Sequence, residues 1–318
     1  MPRRRRPEPA LSVPSDKAVA REISYAHSAA TKGGRVMIRA MENTTGRLRL
    51  IRRAAGYDAE VRAGRDFWDV MVGRYGLRLN VIAGALENIP RDGPLVLIAN
   101  HPYGILDGLV MGHILAQTRG DFRILAHQVF RKAEDLHRVI LPVSFDETKE
   151  ALAQNLTTRK TALSYLGEGG AIGVFPGGTV STAAKPFGRP MDPKWRSFTA
   201  RMIAKSEATV VPIYFDGHNS RLFQIASHLH STLRMGLLIK EFRARVNSTV
   251  DIAIGDPIPR AALNERAGDA TALMAYLRET TYALSPRPLD PTAQGFEFEA
   301  HHRRPDKGSA RQKMKEQV

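Results

Sequence analysis

PLVLIANHPYGILDGLVMGHIL, residues 94–115, reads in one pass as a buried strand, a tight loop and a helix. Leu95–Asn100 is apolar on both faces, the pattern of a strand covered by helices on both sides. Pro102 and Gly104 then punctuate a loop, and a helix begins near Ile105 with Asp107 in its first turn. His101 therefore stands just beyond the carboxyl end of a strand, where open α/β sheets bind their ligands.

Outward from this unit the alternation continues. Strands are predicted at Leu77–Ala83, Leu95–Asn100, Phe122–His127, Val139–Phe145, Ala171–Phe175, Thr209–Phe215 and Val250–Ile254. Helices fill the gaps over roughly 105–118, 148–167, 193–206, 220–244 and 260–283. The pattern predicts an α/β fold, a mixed and largely parallel sheet flanked by helices, over residues 77–284. Residues 17–76 read as an N-terminal helical segment interrupted at Gly33–Gly34 and Gly56. Residues 1–16, rich in Pro and Arg, are expected to be disordered, and 285–318 to form a loosely attached charged tail.

The 318 residues suffice for one large α/β domain with appended segments. A formal net charge of +15, from 47 Lys and Arg against 32 Asp and Glu, favours polyanionic partners. The absence of cysteine excludes disulfides, thiolate zinc sites and Cys nucleophiles. No apolar run approaches the ~20 residues of a spanning helix, and the start lacks the apolar stretch of a signal peptide. The expected location is cytoplasmic, peripheral on the inner face of the cell membrane. Arg35, Arg39, Arg47, Arg49, Arg52 and Arg53 interleave with Met37, Ile38, Met41, Leu48, Leu50 and Ile51. Such a helix either lies in a membrane interface or covers the core with a solvated Arg face.

An imidazole at position 101 is suited to take a proton from an attacking hydroxyl near neutral pH, and a carboxylate a few residues on can orient it. Read in isolation, the same residues fit a polar loop and a helix-capping carboxylate. A second stretch, GEGGAIGVFPGGTVSTAAKPFGRPMDPKWRSF (167–198), runs from a strand into Phe175-Pro176-Gly177-Gly178-Thr179. Glycines after a strand let backbone N–H groups approach an oxyanion or phosphate, and Lys185, Arg189 and Lys194 line the continuation positively.

Taken together, the two stretches resemble the glycerolipid and lysophospholipid acyltransferases. That family's four blocks match His101 with Asp107, then Phe130-Arg131, then Phe175–Ser181 (FPGGTVS), then Val210–Ile213. DGHNSRLFQ at 216–224 and LLIKEF at 237–242 are similar to the hemolysin-like branch, which includes ornithine-lipid-forming acyltransferases. The resemblance implies His101 as general base and Asp107 as its partner. It also implies an acceptor held near Arg131, Lys185, Arg189 and the Phe175–Thr179 block. The donor is then acyl carrier protein or coenzyme A thioester, the acceptor a lyso-lipid at an anionic membrane surface. No cofactor, metal or nucleic acid is expected. Two departures stand out: five residues rather than four separate His101 from Asp107, with Gly104 placed to absorb the extra one. Gly177 and Val180 also replace the third block's usual Glu and Arg, which points to a head group other than glycerol phosphate.

Competing motifs are absent from the sequence. It has no G-x-S-x-G elbow, no phosphate-binding G-x-x-x-x-G-K-[ST] and no H-E-x-x-H. His113, six residues past Asp107 on a helix, is turned away from it. Trp68 and Trp195 read as packing or interfacial anchors.

Overall fold

The computed structural model describes residues 24–26, 29, 31–127, 136–144 and 148–298. Among the described residues four helices come first: α1 (Lys32–Thr45), α2 (Arg47–Ala54), α3 (Tyr57–Arg62) and α4 (Phe67–Tyr75). The breaks fall at Gly46, Gly56 and the 63–66 turn, while Gly33–Gly34 sit inside the first turn of α1. Then follow β1 (Arg78–Ala83), β2 (Leu95–Ala99), α5 (Ile105–Arg119), β3 (Arg123–His127), β4 (Ile140–Val143), α6 (Lys149–Gly167) and β5 (Ala171–Val174). A two-stranded hairpin, β6 (Thr182–Ala183) with β7 (Pro190–Met191), leads to α7 (Ser197–Ala204) and β8 (Thr209–Asp216). The chain continues through α8 (Arg221–Leu229), α9 (Ser231–Arg245), β9 (Thr249–Ile254), α10 (Arg260–Arg266) and α11 (Ala270–Ala283).

Seven strands form one sheet in the order β1-β9-β8-β2-β5-β3-β4. β8, β2, β5, β3 and β4 run parallel, whereas β9 is antiparallel to β8 and carries β1 parallel to itself at the edge. The sheet is mixed and largely parallel, as the alternation predicts. All five residues of β2 are buried, because α5 and its neighbours cover one face and α7 and α11 the other. β2 lies between β5 and β8 at the centre of the parallel strands, and His101 follows its carboxyl end, the edge at which open α/β sheets bind ligands. The side chain of Asn100 extends this pairing past the last ladder residue. Its Oδ1 accepts from Phe215 N at 2.7 Å and its Nδ2 donates to Phe215 O at 3.0 Å.

Several elements differ from the sequence reading for local reasons. The predicted helix 220–244 is two helices, because His230 is extended and its ring caps α9 by accepting from Thr232 N. The predicted helix 260–283 is also divided, and Asp269 caps its second half. The helix predicted from 193 begins at Ser197, since Asp192–Arg196 form a loop that buries Asp192, Pro193 and Trp195 and leaves Lys194 exposed.

The N-terminal helices are part of the body. Leu50, Ala54, Trp68 and Tyr75 belong to the main core, and Met41 packs on Gly236 of α9. Ile38 and Arg47, read as part of a helix lying either in an interface or over the core, are buried. Glu42 is wholly buried, and its carboxylate accepts from the Ser24 hydroxyl and the Tyr25 N–H. Residues 285–298 are a second correction, because this part of the expected loose tail is docked as a strap. Arg278 donates to Pro291 O and Ala293 O, Gly295 N to Asp192 O, and Phe296 N to Thr182 O. Only glycine permits that approach, since a Cβ at 295 would stand 1.8 Å from Met191 O.

Candidate active site

The loop after β2 places His101 through the capping of α5. Gly104 adopts φ +92°, which L side chains rarely reach, and the chain thereby folds Asp107 back beneath the loop. Oδ2 of Asp107 accepts the N–H groups of Tyr103 (2.8 Å) and Gly104 (2.9 Å) and lies 2.9 Å from Nδ1 of His101. The five-residue spacing is accommodated by Gly104, and the two side chains meet. At 2.9 Å the two atoms are within hydrogen-bonding distance, and the contact holds the ring against the carboxylate. With Nδ1 against the carboxylate, Nε2 is the ring nitrogen left for chemistry, and the side chain keeps 19% of its surface exposed. Asp107 has none exposed, and burial pushes its carboxyl above the usual range. The bond and charge of His101 and the two backbone N–H donors pull it partly back.

The third-block residues close on this pair. The Phe175 ring stacks on the His101 ring at 4.5 Å between centroids. Gly178 N donates to Phe175 O within a tight turn, so that N–H is engaged locally, and Pro176 O accepts from Arg196 N. Ser181 N donates to His101 O at 2.7 Å, which ties the two loops directly. Thr179 faces away to α9, where its hydroxyl accepts from Arg234 at 3.0 Å. Lys185 and Arg189 are exposed on the β6–β7 turn, and Arg189 donates to Pro288 O of the strap; neither is brought to His101. Arg131 and its neighbour Phe130 lie outside the described residues. His113 pairs with Asp69 at 2.8 Å and ties α5 to α4. Among the described residues no cluster of three or more His, Asp or Glu could hold a metal.

Residues with no motif signal complete the site. Asp192 is wholly buried between the two loops. Its Oδ1 accepts from His101 N (3.2 Å) and the Ser181 hydroxyl, and its Oδ2 from Trp195 Nε1 (2.8 Å). A Cβ on Gly177 would stand 3.1 Å from Asp192 Oδ2, so this carboxylate packs against the position where the family pattern has Glu. Arg234, on α9, donates to Thr179, Val180 O, Thr182 and Ser227 from inside the fold. In sequence, Asp192 is one carboxylate in a Pro-flanked loop and Arg234 one Arg in a helix; neither spacing nor periodicity marks them.

Comparison with known proteins follows this geometry. Residues 80–216 match the family model described as Acyltransferase, a stretch running from β1 to the end of β8 and holding both loops. The chain is similar to a lyso-glycine lipid O-acyltransferase of Phocaeicola vulgatus, 24% identical over 209 residues, covering 64% of this chain and 72% of that one. It is also similar to a lyso-glycine lipid O-acyltransferase of Bacteroides thetaiotaomicron, 21% identical over 234 residues, covering 71% and 82%. The family match and these two relatives support an acyltransferase of the lysophospholipid and glycerolipid type. Among solved structures, the 1-acyl-sn-glycerophosphate (LPA) acyltransferase PlsC of Thermotoga maritima aligns with this acyltransferase at a TM-score of 0.42 and 12% identity. That alignment covers 80% of this chain and 98% of the other. In the acyltransferase, Asn100 ties the end of β2 to β8, Gly104 folds Asp107 under His101, and Asp192 locks the third block beside them.

Proposed function

We propose that this acyltransferase moves a fatty acyl group from a thioester, acyl carrier protein or coenzyme A, to the hydroxyl of a lyso-lipid with an amino-acid head group. The observation that carries the reading is His101 Nδ1 at 2.9 Å from the buried Asp107 at the mouth of the central strand. Nε2 of His101 takes the acceptor's hydroxyl proton as its oxygen attacks the thioester carbonyl carbon. The C–S bond then breaks, and the thiolate leaves with the proton returned by the imidazolium. Asp107 orients the ring and stabilises its charged form. Gly177 and Val180, in place of Glu and Arg, and the lyso-glycine lipid relatives support an acceptor such as lyso-glycine or lyso-ornithine lipid over a glycerol phosphate. Both donors are acidic and suit a chain of net charge +15. The test is thiol release by purified protein given an acyl thioester with each acceptor in turn. Release is expected with lyso-amino-acid lipids, with less from lysophosphatidic acid. No release with any hydroxyl-bearing lipid would overturn the reading.

The membrane contact is a second part of this proposal. No helix among the described residues is long and apolar enough to cross a membrane. Val36, Met37 and Leu48 are exposed on α1 and α2, and Arg49, Arg52, Arg53 and Arg243 line an open cleft of about 580 Å³ with Leu50 and Val246. This cleft contains none of the motif residues, and its charge suits anionic lipid head groups. Each Arg near an anionic surface contributes about 1 kcal/mol, so Arg49→Gln with Arg52→Gln should weaken binding to anionic vesicles about tenfold or more. Co-sedimentation checks this, with partial release by salt and weak binding to neutral vesicles. Equal sedimentation by the double variant would place the contact elsewhere.

A further inference from the structure

Arg234 is an unusual charge for its setting. It is 4% exposed, and among the described residues no carboxylate pairs with it. Its Nη1 donates to the Thr182 and Ser227 hydroxyls, and its Nη2 to the Thr179 hydroxyl and Val180 O, all neutral acceptors. Burial pushes its pKa down to about 9, so it still carries its charge near neutrality. A buried charge without a counter-ion is costly to the fold, and an anion brought beside it would relieve that cost.

A second buried donor stands beside it. Gln224 is wholly buried on α8, and its Oε1 accepts from Ala183 N at 2.9 Å, which fixes the direction of the amide. Its Nε2 has no partner among the described residues. Gln224 and Ser227 lie three residues apart on one helix, and Ala183 follows Thr182, so the unpartnered amide adjoins the acceptors of Arg234. The cluster also adjoins the candidate active site, because Val180 O takes an Arg234 bond while the next residue, Ser181, bonds to His101. Its outer wall is the strap: Phe298 lies 4.1 Å from the guanidinium, and Phe296 packs edge-on against His228.

We propose that Arg234 and Gln224 form the receptor for an acidic head group, carboxylate or phosphate, on the acyl acceptor. The anion supplies the missing counter-ion to Arg234 and the missing acceptor to Gln224 Nε2. Entry displaces Phe298, so a cation–π contact is exchanged for an ion pair. The receptor lies one residue from Ser181, whose N–H bonds to His101 O, which leaves the acceptor's hydroxyl free to reach the ring. This inference rests on the acceptor being a lyso-lipid, and its test is therefore made on binding, apart from turnover.

Gln224→Glu is the decisive variant. Its carboxylate retains an oxygen for Ala183 N and places a built-in counter-ion beside Arg234. Phe298→Glu does the same from the strap, at a half-buried position near the end of the described chain. Equilibrium binding of monomeric radiolabelled lipids is measured for an N-acyl amino acid lyso-lipid, lysophosphatidic acid and neutral monoacylglycerol. Wild type should bind the acidic lipids more tightly than the neutral one, and the tighter of the two acidic lipids identifies the head group. Both variants should bind acidic lipids at least about tenfold more weakly, with the neutral lipid within about twofold of wild type. A melting temperature for Gln224→Glu at or above that of wild type would accompany this. Undiminished acidic-lipid affinity in both variants, or no preference for acidic lipids in wild type, would overturn the proposal. Absence of acyl transfer by wild type would instead count against the proposed reaction and leave the binding comparison decisive.

Discussion

His101→Ala is expected to slow acyl transfer by at least ~100-fold, the lower end for general base catalysis, with little effect on folding. The ring is part-exposed, and its chief packing partner is Phe175 at 4.5 Å. Losing one such stacked pair removes about 0.5–1.5 kcal/mol, a few degrees of melting temperature in a domain of this size. The backbone bonds that hold the loop, His101 N to Asp192 and Ser181 N to His101 O, do not use the side chain and survive the change. Thiol release and a thermal melt on the same preparation separate chemistry from stability. Near wild-type turnover by folded protein would remove His101 from the mechanism.

Asp107→Asn is expected to lower turnover on the order of a hundredfold, because a close charge pair in a part-buried site is worth roughly 2–3 kcal/mol after discounting for the exposed ring. The amide oxygen can still accept the N–H groups of Tyr103 and Gly104, so the loop should persist. What disappears is the negative charge that stabilises the imidazolium. Stability should move the other way. Burial raises the Asp107 carboxyl above its unfolded value, so its ionised form is a cost to the fold at neutral pH. That cost is relieved as pH falls through the raised value. The variant should therefore melt no lower than wild type at pH 7, with any advantage shrinking on acidification. Melts across pH together with thiol release check both halves. Retained turnover would mean that another group orients His101.

The fold was largely legible because its signals are local. The double-sided apolar runs of β2, β5 and β8 announce strands covered by helices, and their alternation with longer segments announces the mainly parallel sheet. The His101 and Asp107 positions were legible because a strand end, a glycine loop and a helix start fall within a few residues of each other. What escaped the sequence depends on distant partners. Asp192 bonds to a residue 91 positions away, and Arg234 to Thr179, 55 positions away. Arg47 and Ile38 fit an interfacial helix by periodicity, yet they face inward because α9 packs on α1 and the core extends under α2. The charge and proline content of 285–298 suggested a free tail; its docking depends on main-chain bonds that composition does not encode.

Asp192 also sets an order of events during synthesis. His101 and Asp107 emerge from the ribosome together with the strand and helix that carry them. The carboxylate that fixes the His101 main chain comes 91 residues later. The strap that bonds to the Asp192 carbonyl through Gly295 comes later still. A nascent chain thus holds both side chains before Asp192 is available to lock the third block beside them. Until residue 295 is made, the Asp192 carbonyl lacks the N–H that Gly295 gives it in the finished fold. The His101 loop, the Asp192 loop and the strap are thus assembled in the order in which the chain is made.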